Sequence, residues 1–178
     1  MPKLLKQRQL ISKEADISWL AGFFDGEGSI SLLYYPPPSL SGWIGRVNLV
    51  QKDTEPLERV LDILASHNLP LPGCISNGDG TIHFNWSGAE AVPLLETLLP
   101  YFCVWNKKRA EIFIRVFTRE YAARTPLSAE EKLHRFKCLQ EFQEAQRERK
   151  ENFVSTSTEQ STEELRFYLE RLKDASTP

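Results

Sequence analysis

The chain has 178 residues, 41% of them hydrophobic and 11% aromatic, enough to enclose one core with or without a helical appendage. A formal net charge of −2 excludes a uniformly basic, phosphate-binding surface and leaves only a segregated one. No run of about 18 apolar residues occurs, so no membrane partner is expected, and the three cysteines, Cys74, Cys103 and Cys138, are too scattered for a zinc cluster and point to a reducing, intracellular setting.

Residues 1–12 are polar and basic, lack the apolar region of a secretory signal, and read as a loose arm. The spacing of Ile17, Leu20, Ala21 and Phe24 predicts a first helix over about 13–25. Ser29 to Tyr35 reads as a strand stopped by Pro36-Pro37-Pro38, because proline cannot donate to a ladder. After a breaker-rich loop to Gly42, a second strand over 44–51 places Val47 and Leu49 on one face and Arg46, Asn48 and Val50 on the other. Asp53 or Thr54 then starts a helix carrying Leu57, Val60, Leu61 and Leu64, which stops near His67-Asn68, ahead of Pro70. Asn77-Gly78-Asp79-Gly80 signals the turn of a hairpin with strands over 74–76 and 81–86. Ser87 with Glu90 forms a capping box for a helix to about Leu99, and Asn106 caps another from Lys107 to about Ala122, buried through Ile112, Phe113, Val116 and Phe117.

The rest is helical. Ser128 with Glu131 caps a helix bearing Leu133, Phe136, Leu139 and Phe142, and a Ser/Thr-rich linker over 155–162 leads to a last helix with Leu165, Tyr168, Leu169 and Leu172. The expected class is α+β, with a four-stranded antiparallel sheet covered by helices on one face and open on the other. The organisation expected is an arm over 1–12, a core over 13–125 and a helical extension of the same domain over 126–178. On the open face, Thr81, His83 and Asn85 can hydrogen bond to base edges, although such alternation is also what an ordinary solvated sheet face shows.

The chemistry is concentrated in Trp19-Leu20-Ala21-Gly22-Phe23-Phe24-Asp25-Gly26-Glu27-Gly28-Ser29-Ile30. A helix with small residues runs into two carboxylates interleaved with glycines, and then into a strand. Ala21 and Gly22 let another backbone come close, and glycine permits an abrupt helix end. Carboxylates at such a break suit a hard divalent cation, which binds through one or two carboxylates and a phosphate. No Ser/His/Asp or Cys/His constellation and no phosphate-cradling glycine loop is present, and His67, His83 and His134 have no cage-like spacing.

Leu20 to Gly28 reads LAGFFDGEG, which resembles the signature of the LAGLIDADG homing endonucleases and related maturases. Val50-Gln51-Lys52, Leu99-Pro100-Tyr101 and Lys107-Lys108-Arg109-Ala110-Glu111 echo the family at matching places. The resemblance implies an αββαββα core whose saddle-shaped sheet lies over the DNA major groove. It implies site-specific cleavage of double-stranded DNA with Mg2+ or another divalent cation such as Mn2+ or Ca2+. Glu27 matches the family's metal ligand, with the Gly26 backbone oxygen as the second, and Asp25 matches an earlier acid that supports a helix interface. Gln51 matches a strand-end group that orients water or substrate, and Lys107 or Lys108 a basic residue near the phosphate. The register is open there, because the chain carries an extra residue around Trp105-Asn106. Where relatives often place Arg or Lys, this chain has Glu55, which the helix dipole favours as an ordinary helix-start acid.

One motif per chain addresses one strand, so the resemblance implies a homodimer packed through Trp19, Leu20, Ala21, Gly22, Phe23, Phe24 and Asp25, on a long, roughly palindromic site. Ser31, Leu33, Tyr35, Arg46, Asn48, Thr81, His83 and Asn85 are the candidates for base contacts, Arg46 for guanine and the asparagines for adenine. An intron-encoded enzyme of an organelle or a microbial cytoplasm is one expectation. A non-catalytic maturase or DNA-binding regulator is another, and a protein-interaction domain using the open sheet and acidic helices is a third.

Overall fold

The protein is seen in a computed structural model that describes residues 2–34, 42–78, 80–118, 128 and 130–149, with the backbone alone for 2–12 and 74–78. Tyr35, the proline loop after it, the 155–162 linker and the last helix expected beyond it lie outside the described residues. Two compact units are distinguished, Met1–Phe142 and Gln143–Pro178. Of the second, only the helical residues 143–149 are described.

In the first unit the order is α1 (Pro2–Glu27), β1 (Gly28–Tyr34), β2 (Trp43–Gln51), α2 (Thr54–Ser66), β3 (Cys74–Gly78), β4 (Thr81–Ser87), α3 (Val92–Leu98) and α4 (Val104–Phe117). Short 3-10 turns, Gly88–Ala91 and Leu99–Tyr101, flank α3. A further helix, α5, spans 130–149. The strands form one antiparallel sheet in the order β1-β2-β4-β3. The expected α+β class and element order are therefore found.

The residues at 1–12 do not form the expected loose arm, because α1 is helical from Pro2. Pro2 suits a first helical position, and the Leu, Lys, Gln and Arg that follow are strong helix formers with no breaker among them. At its other end α1 passes into β1 with no intervening loop. Only glycine fits at 28: a Cβ there would lie 2.6 Å from the Phe24 carbonyl oxygen and 2.6 Å from Phe24 Cδ1. Gly28 already pairs with Leu49, so the acidic end of α1 is fixed at the edge of the β1–β2 ladder.

The inward face of the sheet supplies Ile30, Leu32, Val47, Leu49, Phe84 and Trp86, all buried. Trp86 is central, with its ring 5.7 Å from that of Phe24 on α1 and 6.3 Å from that of Phe84. Its indole N–H donates to the Pro70 carbonyl at 2.7 Å. Trp86→Phe is therefore expected to lower the unfolding free energy by about 1–2 kcal/mol, since it strands that carbonyl and leaves a small void. Urea denaturation measures it, and an unchanged midpoint would mean the bond contributes nothing.

Helix α2 buries Leu57, Val60, Ile63 and Leu64 and is capped by His67; the chain then turns away at Asn68, whose φ of 53° is tolerated because a short polar side chain accepts the left-handed region. The hairpin closes through Gly78↔Thr81, and Gly80 takes a φ of 82° in its two-residue loop. The capping box expected at Ser128 and Glu131 is present in both directions, at 3.0 and 3.1 Å. The one expected at Ser87 is not: its side chain makes no cap bond, and the chain enters α3 through a 3-10 turn.

The buried stripe of α5 also differs from expectation. Phe142 is buried as expected, but Leu133 is exposed, and Arg135 and Cys138 are buried instead. Arg135 donates to the Val116 carbonyl at 3.0 Å, one of the last carbonyls of α4, where a cation meets the negative end of the helix. That bond turns the helix so that Phe136 packs edge-on against Tyr34 and Trp43 instead of entering the core.

Candidate nucleic-acid and metal site

The site is built from three chain ends that meet at one end of the sheet. Helix α1 delivers Asp25, Gly26 and Glu27; β2 delivers Gln51; and the start of α4 delivers Lys107 and Lys108. Antiparallel pairing sets the first two together, because β1 begins where β2 ends, with Gly28 opposite Leu49. Asp25 sets the third. Its Oδ2 accepts the backbone N–H of Cys103, the N-cap of α4, at 2.8 Å, and its Oδ1 accepts the side-chain amide of Asn106 at 2.7 Å. Asp25 thus does for α4, from 78 residues away in sequence, what a Glu in the first turn does within a capping box. A carboxylate at the positive end of α4 is also electrostatically favourable.

Glu27 is placed oppositely. It is exposed, at the negative end of α1, and the last turn of that helix has no basic residue. The two acids of the motif, one glycine apart, therefore have distinct surroundings: both oxygens of Asp25 are engaged, while Glu27 lies open beside the exposed Gly26. Asn106, read from the sequence as a helix cap, is instead a buried residue of the first turn, and Arg109 is buried one turn on. Arg109 donates to the Asn106 oxygen. Local sequence carries no sign of this pairing, because the partner that orders it is Asp25.

Lys107 is exposed and Lys108 half-buried. Gln51 faces the inward side at the strand end, paired with Ile82, and its Oε1 accepts the backbone N–H of Lys52 at 2.8 Å. Glu55 is exposed in the first turn of α2.

The outward face of the sheet gathers Ser31, Leu33, Arg46, Asn48, Thr81, His83 and Asn85; only Tyr35 of the candidates lies outside the described residues. Cross-strand pairs place Ser31 beside Arg46, and Asn48 between Ser29 and Asn85. Leu33 and Arg46 are exposed and the others half-buried. The Thr81 hydroxyl and His83 Nε2 lie 2.7 Å apart, and the Ser31 hydroxyl donates to the Arg46 carbonyl at 3.3 Å. The Asn48 side-chain oxygen is buried and has no hydrogen-bond partner among the described residues.

The expected interface residues divide. Leu20 and Ala21 are fully buried and Phe24 is 1% exposed, all in the chain's own core, so none of the three can meet a partner. Trp19 and Phe23 are half-buried and stack on each other at 5.2 Å, with the Arg59 guanidinium 4.1 Å above Trp19. The open side of α1 carries Ala15, Ser18, Gly22 and Gly26, all exposed, with nothing within 4 Å of where a Cβ would stand at either glycine. The helical period explains the correction: in LAGFFDGEG, the leucine, the alanine and the second phenylalanine share the face that meets Trp86.

No family model and no curated protein matches the sequence. Solved structures do. The fold is similar to that of the homing endonuclease I-CvuI in complex with its target, with a TM-score of 0.55 at 18% identity over 76% of this chain and 82% of that one. It is similar to the same enzyme with an I-CreI target in the presence of Mg, its DNA not cleaved, with a TM-score of 0.50 at 18% identity over 74% and 96%. It is similar to the LAGLIDADG homing endonuclease I-GzeII in complex with a DNA target, with a TM-score of 0.51 at 17% identity over 71% of this chain and 42% of that one. The chain has the LAGLIDADG homing-endonuclease fold.

Proposed function

We propose that the protein is a site-specific, divalent-metal-dependent DNA endonuclease that acts as a homodimer on a long, near-palindromic duplex. The observation that carries this reading is the separation of the two motif acids, which leaves the Glu27 carboxylate open at the end of a sheet with a polar outer face. The donor set fits a hard cation. Glu27 and the Gly26 carbonyl are both oxygen ligands, and the negative helix end beside them favours positive charge.

Glu27 and the Gly26 carbonyl would hold the cation, which would supply charge to polarise a phosphate and lower the pKa of a water. Gln51, with its oxygen occupied by Lys52, offers its amide N–H groups to the attacking water or a phosphate oxygen. Lys107 or Lys108 neutralises charge that develops on the phosphate. The open side of α1, from Ala15 to Gly26, lets a second α1 approach closely about a two-fold axis, which brings two Glu27 tips to opposing strands.

Arg46, exposed on the central strand β2, is the candidate for bidentate recognition of guanine. Arg46→Ala is expected to weaken specific binding by about 1–3 kcal/mol and to relax the preference at one base pair per half-site. Competition binding against a set of single-base variants measures it. Equal weakening on all sequences would reassign Arg46 to the phosphates.

The exposed Glu55 favours a second reading, a DNA-binding relative that does not cut. A supercoiled plasmid carrying the joined flanks of the reading frame separates the two. The nuclease reading expects linear product with Mg2+ and none with EDTA. Specific binding with the plasmid intact at every Mg2+ or Mn2+ concentration would establish the alternative.

A further inference from the structure

We infer that Asn106 and Arg109 are positioning residues, which act through Asp25 to hold the Glu27 tip of α1 in register with the basic start of α4. This rests on the nuclease reading of the same site. Asn106 is 3% exposed and Arg109 6% exposed, one turn apart on α4. Arg109 donates to the Asn106 oxygen, and the Asn106 amide donates to Asp25 Oδ1 at 2.7 Å. The Cys103 N–H donates to Asp25 Oδ2 at 2.8 Å.

The order of the relay follows from what each group can do. A guanidinium only donates and a carboxylate only accepts, so the side chain between an Arg and an N–H-accepting Asp must accept at one end and donate at the other. A primary amide does this without adding a charge, and its two partners fix which way it faces. A buried guanidinium carries a desolvation cost that a leucine at the same place would avoid. The relay that bears this cost ends on Asp25, two residues in sequence from Glu27, and Lys107 and Lys108 lie between the two relay residues. The relay therefore joins the two segments whose separation the reaction depends on.

A swap of the two polar groups tests this without deleting either. In Asn106→Asp two carboxylates face each other. In Asp25→Asn the new side chain has one oxygen for two donors. In the double variant Asp25→Asn/Asn106→Asp every bond is restored. Asn at 25 accepts from Cys103 and donates to Asp at 106, which accepts from Arg109, and the net charge is unchanged. Mn2+ binding to the full chain, followed by the loss of the free-ion EPR signal, reports the site without DNA or cleavage, and thermal unfolding of the same samples reports the fold.

Each single variant is expected to lose about 10- to 100-fold in Mn2+ affinity, and the double variant to regain most of it. If a single variant does not fold, the double variant alone decides: near wild-type affinity supports the relay and lost affinity overturns it. Single variants that unfold earlier but bind Mn2+ normally would overturn it, as their role is then only structural. A double variant that is stable yet binds weakly would also overturn it, because the Asp25 carboxylate must then touch the ion. Wild-type protein with no Glu27-dependent Mn2+ binding, either alone or on a target duplex, would defeat the nuclease reading and this inference together. That result differs from the others in appearing before any relay residue is changed.

Discussion

Glu27→Gln is expected to leave the fold and DNA binding intact and to slow cleavage by roughly 10³-fold or more. Stabilisation by a metal at a developing phosphorane is worth several kcal/mol, and each 1.36 kcal/mol is about a factor of ten. The amide keeps the shape of the side chain but is a poor ligand for a hard cation. The sign of the stability change is a separate signature. Glu27 is exposed at the negative end of α1, with no basic residue in the last turn to offset it. Removing its charge is therefore expected to raise stability by about 0.3–1 kcal/mol. Single-turnover cleavage and urea unfolding of one preparation measure both. Activity and stability that fall together would assign Glu27 to the scaffold.

Gly28→Ala is expected to have the largest effect on stability, about 3 kcal/mol, which is a fall of roughly 6–12 °C in Tm for a chain of this size. A Cβ at 28 would meet the Phe24 carbonyl oxygen and ring at 2.6 Å each, and the Phe24 Cα at 3.1 Å. The oxygen belongs to the helix backbone, and the ring is held against Trp86, so neither can yield. Relief comes only from moving the end of α1, which carries Glu27. Activity should therefore fall further than the unfolded fraction explains. Gly26→Ala is the control, because nothing lies within 4 Å of its Cβ position, and it is expected to stay within about 1 kcal/mol of wild type. Calorimetry of the two variants checks the contrast. Equal melting temperatures would mean that the junction can yield to a Cβ at position 28.

What the sequence made legible was local. Alternation in β2 and β4, the hairpin signal before Gly80, the stop at Asn68 and the box at Ser128 each depend on residues a few positions apart, and each is found. Misreadings arose where a distant partner decides. Asn106 looked like a cap because it precedes an apolar stripe, but the true N-cap is Cys103, whose N–H is satisfied by Asp25. Leu133 and Phe136 fit a helical stripe, but burial of Arg135 against the end of α4 shifts the face by a fraction of a turn. One motif per chain implies that the whole motif helix meets a partner. Its largest residues, Leu20 and Phe24, serve the chain's own core instead, and only the narrow side through Gly22 and Gly26 stays open. The outward row of candidate DNA contacts was readable because a strand period of two admits one assignment once the core face is known.

The central claim is that each α1 tip serves one strand of a duplex held between two copies. Mixed dimers of one wild-type and one Glu27→Gln protomer, separated by different affinity tags, test it directly on the supercoiled target plasmid with Mg2+. The account predicts nicked circles with the cut on one strand only, alongside linear product from wild-type dimers and none from dimers in which both protomers carry Glu27→Gln. Linear product from the mixed dimer at the wild-type rate would contradict it, since one Glu27 would then suffice for both strands.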